Sequence, residues 1–540
     1  MQTVKKPDFD AVVIGAGFSG MYMIYSLREA GFSVKGYEKG KDVGGTWYWN
    51  RYPGARCDSD SIYYNYMFSE ELYKGWTWSS RYPDQPEILR YLNYAADKMD
   101  IRKDFEFETV ISKAQYDEGA NLWHIYKEDG TKVTATYFIT AVGCLSASNV
   151  PDFKGLDQFK GDWYHTGRWP HEKVDFSGKR VGVVGTGSSG VQAIPVIAEE
   201  AKHLTVFQRT PQYSFPARNH PYKPGFVDEA KKSFHTLKKE LRESAAGQIN
   251  KVRKPSALDD TPEERQKAYE ERWQEGGYLF LYDDLLINEE SNKTAQDFIR
   301  SKIKEIVKNP ETAEKLLPTY HWGTKRQILD SNYYETYNLD HVDLVDVKTN
   351  PIVEITEKGI KTTADEYELD IIVFATGYDG MTGPLFKMDI RGRDGVALNE
   401  KWENGESVRT YLGLSTHGFP NMFMITGPES PSVLSNMPVS IEQHVEWISD
   451  CIQYLRKHGI DKIEAEVDAE KDWSKHCREV AEATLMTKAD SWYTGANIEG
   501  KARGFPIYIG GVGVYREKCD EVAANNYTGF QLTSFQQTVN

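Results

Sequence analysis

The 540-residue chain is poor in cysteine, with five in all: Cys57, Cys144, Cys451, Cys477 and Cys519. They are scattered, odd in number and never spaced as C-x-x-C, which excludes a disulfide framework, a zinc ribbon and a dithiol reductase. Ligand clusters for iron–sulfur or haem groups are also missing, and no metal is expected. No apolar run approaches the roughly 20 residues a spanning helix requires. The N-terminal segment leads toward a strand without a signal-type apolar region. Positive charge is in deficit as well: 65 lysines and arginines face 80 aspartates and glutamates, a net −15. Nucleic acid and anionic membrane are therefore poor partners. These absences point to a cytoplasmic protein with reduced thiols, a monomer or loose oligomer. Hydrophobic residues make up 40% and aromatics 13% of the chain, enough for more than one core at this length.

What is present begins with a nucleotide fold. Phe9–Ile14 is an apolar run of buried-strand type, followed at once by Gly15-Ala16-Gly17-Phe18-Ser19-Gly20. A helical stretch, Met21–Glu29, and a second strand, Val34–Tyr37, lead to Glu38, which lies 18 residues beyond Gly20. Glycines, helix and terminal acid together form a dinucleotide fingerprint. The glycines let the backbone approach a pyrophosphate at a helix N-terminus. Glu38 would accept from ribose hydroxyls and repel a 2′-phosphate, so this half is expected to bind FAD or NAD.

A second fingerprint follows. The strand Arg180–Val184 runs into Gly185-Thr186-Gly187-Ser188-Ser189-Gly190, a helix over Val191–Glu200 and a strand over Leu204–Phe207. That strand ends not in an acid but in Gln208-Arg209-Thr210. A guanidinium at the ribose end accepts a 2′-phosphate, so the second site reads as NADPH. Tyr137–Val142 and Ile371–Phe374, the latter followed by Ala375-Thr376-Gly377, have the pattern of strands that close one nucleotide domain and pass the chain to the other. The fold class expected is α/β, two Rossmann-like dinucleotide-binding domains with a helical insertion. Its limits are 1–145 for the first part of the FAD domain, 146–220 for linker and first NADPH part, and 221–322 for the insertion. The second NADPH part spans 323–376, and the rest of the FAD domain with a polar tail spans 377–540. Within the insertion, Thr261-Pro262 reads as an N-cap followed by proline at the first helical position.

Two loops and one interdomain stretch remain. Gly44-Gly45-Thr46-Trp47-Tyr48-Trp49 suits a loop lying against a flat ring system, with Asp58 close behind it. Gly323-Thr324-Lys325-Arg326 places adjacent cations beside a glycine in an acidic chain. Phe159–Pro170, lying just before the second fingerprint, carries an imidazole, two indoles and two glycines with no smooth period. It reads as a loop, either a packed hinge or a coupling element. A flavin-type site and an NADPH site in one chain without a cysteine pair imply hydride transfer followed by delivery of electrons to oxygen. Such a site needs a cation for a developing oxyanion, and Arg326 is the candidate.

Phe159, Gly161, His165, Trp169 and Pro170 match the pattern F-x-G-x-x-x-H-x-x-x-W-P. With the two flanking fingerprints, the chain resembles the type I Baeyer–Villiger monooxygenases, class B flavoproteins, over essentially its whole length. The branch holding phenylacetone, cyclopentadecanone and steroid monooxygenases is nearest in pattern. The resemblance implies FAD and NADPH as cofactors, and conversion of a ketone and O2 to an ester or lactone through a flavin peroxide and a Criegee intermediate. Thioethers would be a second class of acceptor. It implies Arg326 as the arginine over the flavin and Asp58 as its acid partner, both also in contact with cofactor. Gly15, Gly17, Ser19, Gly20, Glu38, Thr46, Trp47, Trp49, Tyr64 and Met437 are expected around FAD. Gly185, Thr186, Gly187, Ser188, Ser189, Gly190, Gln192, Arg209, Thr210, Lys325 and the loop residue Trp492 are expected around NADPH. His165 would relay domain motion. Cys144 and Glu499 depart from the relatives' usual residues, Glu499 replacing a proline. An N- or S-oxidising flavin monooxygenase, or a flavin redox sensor without turnover, are the competing readings.

Overall fold

The computed structural model describes residues 6–535; the last five residues of the expected polar tail lie outside them. The apolar run Phe9–Ile14 forms β1, whose last four residues are buried, because a strand covered on both faces needs apolar side chains on both. It pairs in parallel with β2 (Val34–Tyr37) on one side and with a later strand, Lys132–Thr140, on the other. This is the centre of an eight-stranded sheet completed by Asp389–Arg391 and Met422–Met424 from the far end of the chain. The first module is thus built from both ends of the sequence.

The helix α1 spans Phe18–Glu29 and starts three residues earlier than the sequence suggests. Its N-cap is Gly17, so Ser19 and Gly20 already belong to the first turn. One face of α1, including Met21, Ile24 and Leu27, is fully buried in the same core as Val445, Ile448 and Ile452 of the long helix Met437–His458. Burying each of these side chains contributes roughly 1.5–3 kcal/mol.

The second module is a five-stranded, all-parallel sheet in the order Val342–Asp346, His203–Gln208, Arg180–Val184, Ile371–Phe374, Asp162–His165. The edge strand Asp162–His165 corrects the reading of Phe159–Pro170 as loop. Its side chains give no alternation, since Asp162 and Trp163 are exposed; it is placed in the sheet by main-chain pairing to Ile371–Phe374. The helix α2, Ser188–Glu200, again begins at the fingerprint, after Gly187.

The two crossings between modules lie side by side. Asn149 N–H donates to Gly377 O (2.9 Å) and Asp379 N–H to Ala147 O (2.8 Å), so residues 147–149 and 377–379 form a short antiparallel ribbon.

Between the strand His203–Gln208 and the cation pair Lys325-Arg326 the chain runs through a series of helices. Thr261 caps the helix Pro262–Glu275 in a reciprocal capping box with Glu264. The helix Phe234–Glu243 packs against the first module instead: Phe234, Leu237 and Leu241 share a core with Met67, Tyr73 and Val439. Among the described residues no helix is long and apolar enough to cross a membrane.

Candidate active site

The two fingerprint turns are built alike. Gly15 and Gly185 have φ of +107° and +105°, and a Cβ on either would lie 2.5 Å from the carbonyl oxygen of Ala141 or Ala375. A side chain at these positions is excluded by both conformation and space. Each turn opens a helix whose cap, Gly17 or Gly187, supplies no side-chain acceptor. The first N–H groups of α1 and α2 have no intrahelical partner, and a Cβ at Gly187 would meet nothing within 4 Å. The arrangement is an open, electropositive cradle suited to a pyrophosphate.

At the end of β2, Glu38 is buried and its carboxylate accepts from Ala16 N–H (2.8 Å) and Gly40 N–H (2.7 Å). The acid is therefore fixed beside the first turn. At the matching place in the second module stands exposed Arg209. Burial lowers the pKa of Lys325, and the charge of Arg209 lowers it further. Two cations 116 positions apart are thus brought within electrostatic reach. Thr210 accepts from the Thr186 hydroxyl through its carbonyl (3.1 Å).

Arg326 and Asp58 come together from different modules. Arg326 Nε lies 2.8 Å and a terminal nitrogen 2.6 Å from Asp58 Oδ2. The other terminal nitrogen donates to Val433 O (3.1 Å). Burial opposes the charge on Arg326, but Asp58, with Tyr278 and Tyr493, outweighs it and holds the guanidinium's pKa well above its ordinary value. The pair is not sealed: 30% of the Arg326 side chain and 23% of Asp58 remain accessible. A permanent cation with one open face can stabilise an anion that forms beside it.

Around it, Trp47 Nε1–H donates to the Tyr64 hydroxyl (3.1 Å), both rings being buried. Trp49 carries the Lys39 ammonium over its ring at 4.7 Å, and Thr46 is exposed at the start of the same helical turn. Met437 packs with Cys144, Val433, Tyr493 and Trp492 in one apolar cluster. Ser189 and Thr166 hydroxyls are 3.1 Å apart. Gln192 accepts from Tyr52 (2.8 Å) and donates to Arg56 O (3.1 Å), so it ties α2 to the first module.

His165 is not placed to act as a base. Its Nδ1 accepts from Gly167 N–H (3.0 Å) and its Nε2 lies 3.2 Å from Asn149 O. Burial pulls its pKa down to about 4, so it is a neutral spacer between the edge strand and the crossing ribbon.

The flavin-binding monooxygenase-like family profile matches residues 10–221. A Baeyer–Villiger monooxygenase of Pseudooceanicola batsensis is 46% identical, the alignment covering 96% of each chain. The chain belongs to the Baeyer–Villiger monooxygenase family. A phenazine N-monooxygenase of Lysobacter antibioticus is 44% identical over 98% of both chains. The solved structure of an oxidised steroid monooxygenase bound to NADP superposes with a TM-score of 0.93 at 48% identity, over 98% of this chain and 100% of that one.

Within this Baeyer–Villiger monooxygenase, several residues join the site that sequence reasoning did not single out. Tyr278 comes from the helical segment and its hydroxyl lies 3.4 Å from an Arg326 terminal nitrogen. Tyr493, next to Trp492, is buried against the same guanidinium, and its phenol is raised by burial. Val433 lies in the Ser430-Pro431-Ser432-Val433-Leu434-Ser435-Asn436-Met437 loop, whose side chains give no sign that a main-chain carbonyl there meets Arg326. Cys144 is buried in the apolar wall that also holds Val433 and Tyr493. Glu499 is exposed at the far side of the Trp492 loop, beyond which Lys501 bonds to Asp379 Oδ1 (2.5 Å) and Gly380 O (2.8 Å). The loop is tied down without the proline.

Proposed function

We propose that the chain is an FAD- and NADPH-dependent monooxygenase that converts ketones to esters or lactones: ketone, O2, NADPH and a proton give ester, NADP⁺ and water. The single observation that carries this reading is the half-open Arg326–Asp58 pair where the two nucleotide modules meet. Bound flavin would supply acceptance of a hydride from nicotinamide and activation of O2.

The chain's own residues do the rest. The cradle of Gly15, Gly17, Ser19 and Gly20 receives the FAD pyrophosphate, with Glu38 on its ribose. Thr46, Trp47, Trp49, Tyr64 and Met437 wall the ring. Gly185 to Gly190 receive the second dinucleotide, and Arg209, Thr210 and Lys325 hold the 2′-phosphate that Glu38 would repel. Gln192 braces the interface, and Trp492 would help to hold the nicotinamide end of the second dinucleotide. Arg326 holds the negative charge that develops on oxygen as the carbonyl carbon is attacked. Asp58 fixes its plane and Val433 O its far nitrogen. The apolar wall of Cys144, Met381, Val433 and Tyr493 keeps water from that charge. The domain limits 1–145, 146–220, 221–322, 323–376 and 377–540 fit this division of labour, with the helical segment as a wall of the substrate space. The enzyme would work as a cytoplasmic monomer or loose oligomer.

One observation favours a second reading: a relative at 44% identity is named for N-oxidation. Product analysis separates the two. With a panel of linear, aromatic and cyclic ketones, NADPH consumption matched by ester or lactone supports the proposal. Turnover confined to amines, thioethers or aromatic nitrogen heterocycles would defeat it.

A further inference from the structure

Tyr378 stands where four segments of chain meet, and the reaction chemistry does not use it. It follows the strand Ile371–Phe374 and lies in the crossing ribbon, its neighbours bonded to residues 147 and 149. Its ring rests on the Phe159–Pro170 stretch. A Cβ at Gly167 would fall 2.6 Å from the ring, so only glycine allows this contact, and the His165 imidazole stands edge-on at 6.2 Å and 85°. Its hydroxyl donates a hydrogen bond to Asn50 Oδ1. Asn50 closes the helical turn Thr46–Trp49 of the first module. The Tyr378 carbonyl accepts from Asn497 Nδ2 at 2.7 Å, inside the Trp492 loop.

The same short segment also seats the tip of that loop. The Trp492 ring packs on Gly380, where a Cβ would lie 3.1 Å from it. Lys501 grips Asp379 and Gly380 O from the other side. The position of residues 378–380 therefore sets the position of Trp492 and of its neighbour Tyr493, which borders Arg326. One phenol links the first module's ring-facing turn to this seat. Burial keeps the phenol protonated and able to donate.

We propose that Tyr378 is a positioning residue whose bond to Asn50 couples the placement of the two modules to closure of the Trp492 loop. Its consequence for turnover rests on the monooxygenase reading above; the coupling itself does not. If the Tyr378–Asn50 bond is lost, residues 378–380 keep the ribbon bond from Asp379 N–H to Ala147 O but lose their tie to the Thr46–Trp49 turn, and the loop no longer follows that turn. NADPH reduction of the flavin needs no such closure, whereas retaining the activated oxygen away from water does.

The test uses the full-length holoenzyme as Tyr378→Phe, Asn50→Ala and the double variant. Tyr378→Phe keeps the ring on Gly167 and removes only the donor. Two readouts are taken: hydrogen–deuterium exchange of residues 490–504 with NADP⁺ present, and the fraction of NADPH electrons recovered as hydrogen peroxide at saturating ketone. Each single variant is expected to exchange several-fold faster over 490–504 and to release a several-fold larger peroxide fraction. The rate of flavin bleaching by NADPH should stay within about twofold. The double variant should match the singles, since both remove one interaction. Parental exchange and peroxide in Tyr378→Phe, or effects that add in the double variant, would overturn the proposal. Should Tyr378→Phe fail to retain flavin, Asn50→Ala alone decides by the same two readouts. A parent enzyme without ketone-dependent turnover would instead count against the functional reading, and the exchange readout would still judge the coupling.

Discussion

Arg326 and Asp58 are 268 positions apart in sequence and 2.6 Å apart in space. The salt bridge joins a loop of the first module to a loop of the second, so the two must dock before the site exists. Removing the acid leaves a largely buried guanidinium without its main counter-charge, so catalysis should fall and the fold should lose some stability as well. Asp58→Ala is expected to lower ketone turnover by about tenfold to a hundredfold, roughly 1.4–2.7 kcal/mol of transition-state stabilisation. Steady-state kinetics at matched flavin occupancy check this, and the thermal midpoint should fall by a few degrees.

Tyr278 is set beside Arg326 by the residue that follows Arg326. Gln327 Oε1 accepts from Leu279 N–H (3.1 Å), clasping the Tyr278 segment to the arginine loop. Tyr278→Phe should keep the fold and lose one hydrogen-bonding group next to the guanidinium. A drop of about threefold to tenfold in kcat is expected, in line with about 1 kcal/mol for one such contact, with little change in KM for NADPH. An equal loss in both parameters would assign Tyr278 to general packing.

Lys325 gives a pH dependence with a definite sign. Burial, reinforced by Arg209, lowers its pKa, so the ammonium is lost at a lower pH than for an ordinary lysine. Loss of that charge weakens the hold on a 2′-phosphate. KM for NADPH should therefore rise on the alkaline side before free lysine would titrate. Lys325→Arg, which stays charged, should flatten the rise. Arg209→Ala should raise KM for NADPH about tenfold or more while leaving KM for NADH nearly unchanged. Initial-rate kinetics with both nucleotides across pH read both effects.

Cys144 has its thiol buried and pushed up in pKa by that burial, so it should resist alkylation in the folded enzyme. Cys144→Leu adds volume to the wall shared with Val433 and Tyr493. The ratio of kcat/KM for a bulky cyclic ketone to that for a small linear one should fall several-fold. A ratio that does not move would place Cys144 outside the substrate space.

Much of this organisation could be read from the chain because glycine spacing encodes sterics directly. Gly15 and Gly185 sit where no Cβ fits, and that restriction is visible as a pattern. The strand Asp162–His165 could not be read, because main-chain pairing at a sheet edge holds it and imposes no alternation on its side chains. The roles of Val433 O, Tyr278 and the Tyr378–Asn50 bond were hidden for another reason. They arise from contacts between segments 48 to 328 positions apart, and nothing local in composition announces them. The helical segment was legible as helices, but not the docking of Phe234–Glu243 on the first module, since an amphipathic face does not name its partner.

The central claim is that Arg326 stabilises the charge formed when the ketone is attacked, and not the earlier transfer from NADPH. Single-turnover measurement on Arg326→Ala holoenzyme, following flavin bleaching by NADPH and then ester formed from a ketone under O2, tests it most directly. Bleaching within about tenfold of the parent, with ester yield reduced about a thousandfold or more, is the predicted result. Ester formed at close to the parental rate would contradict it.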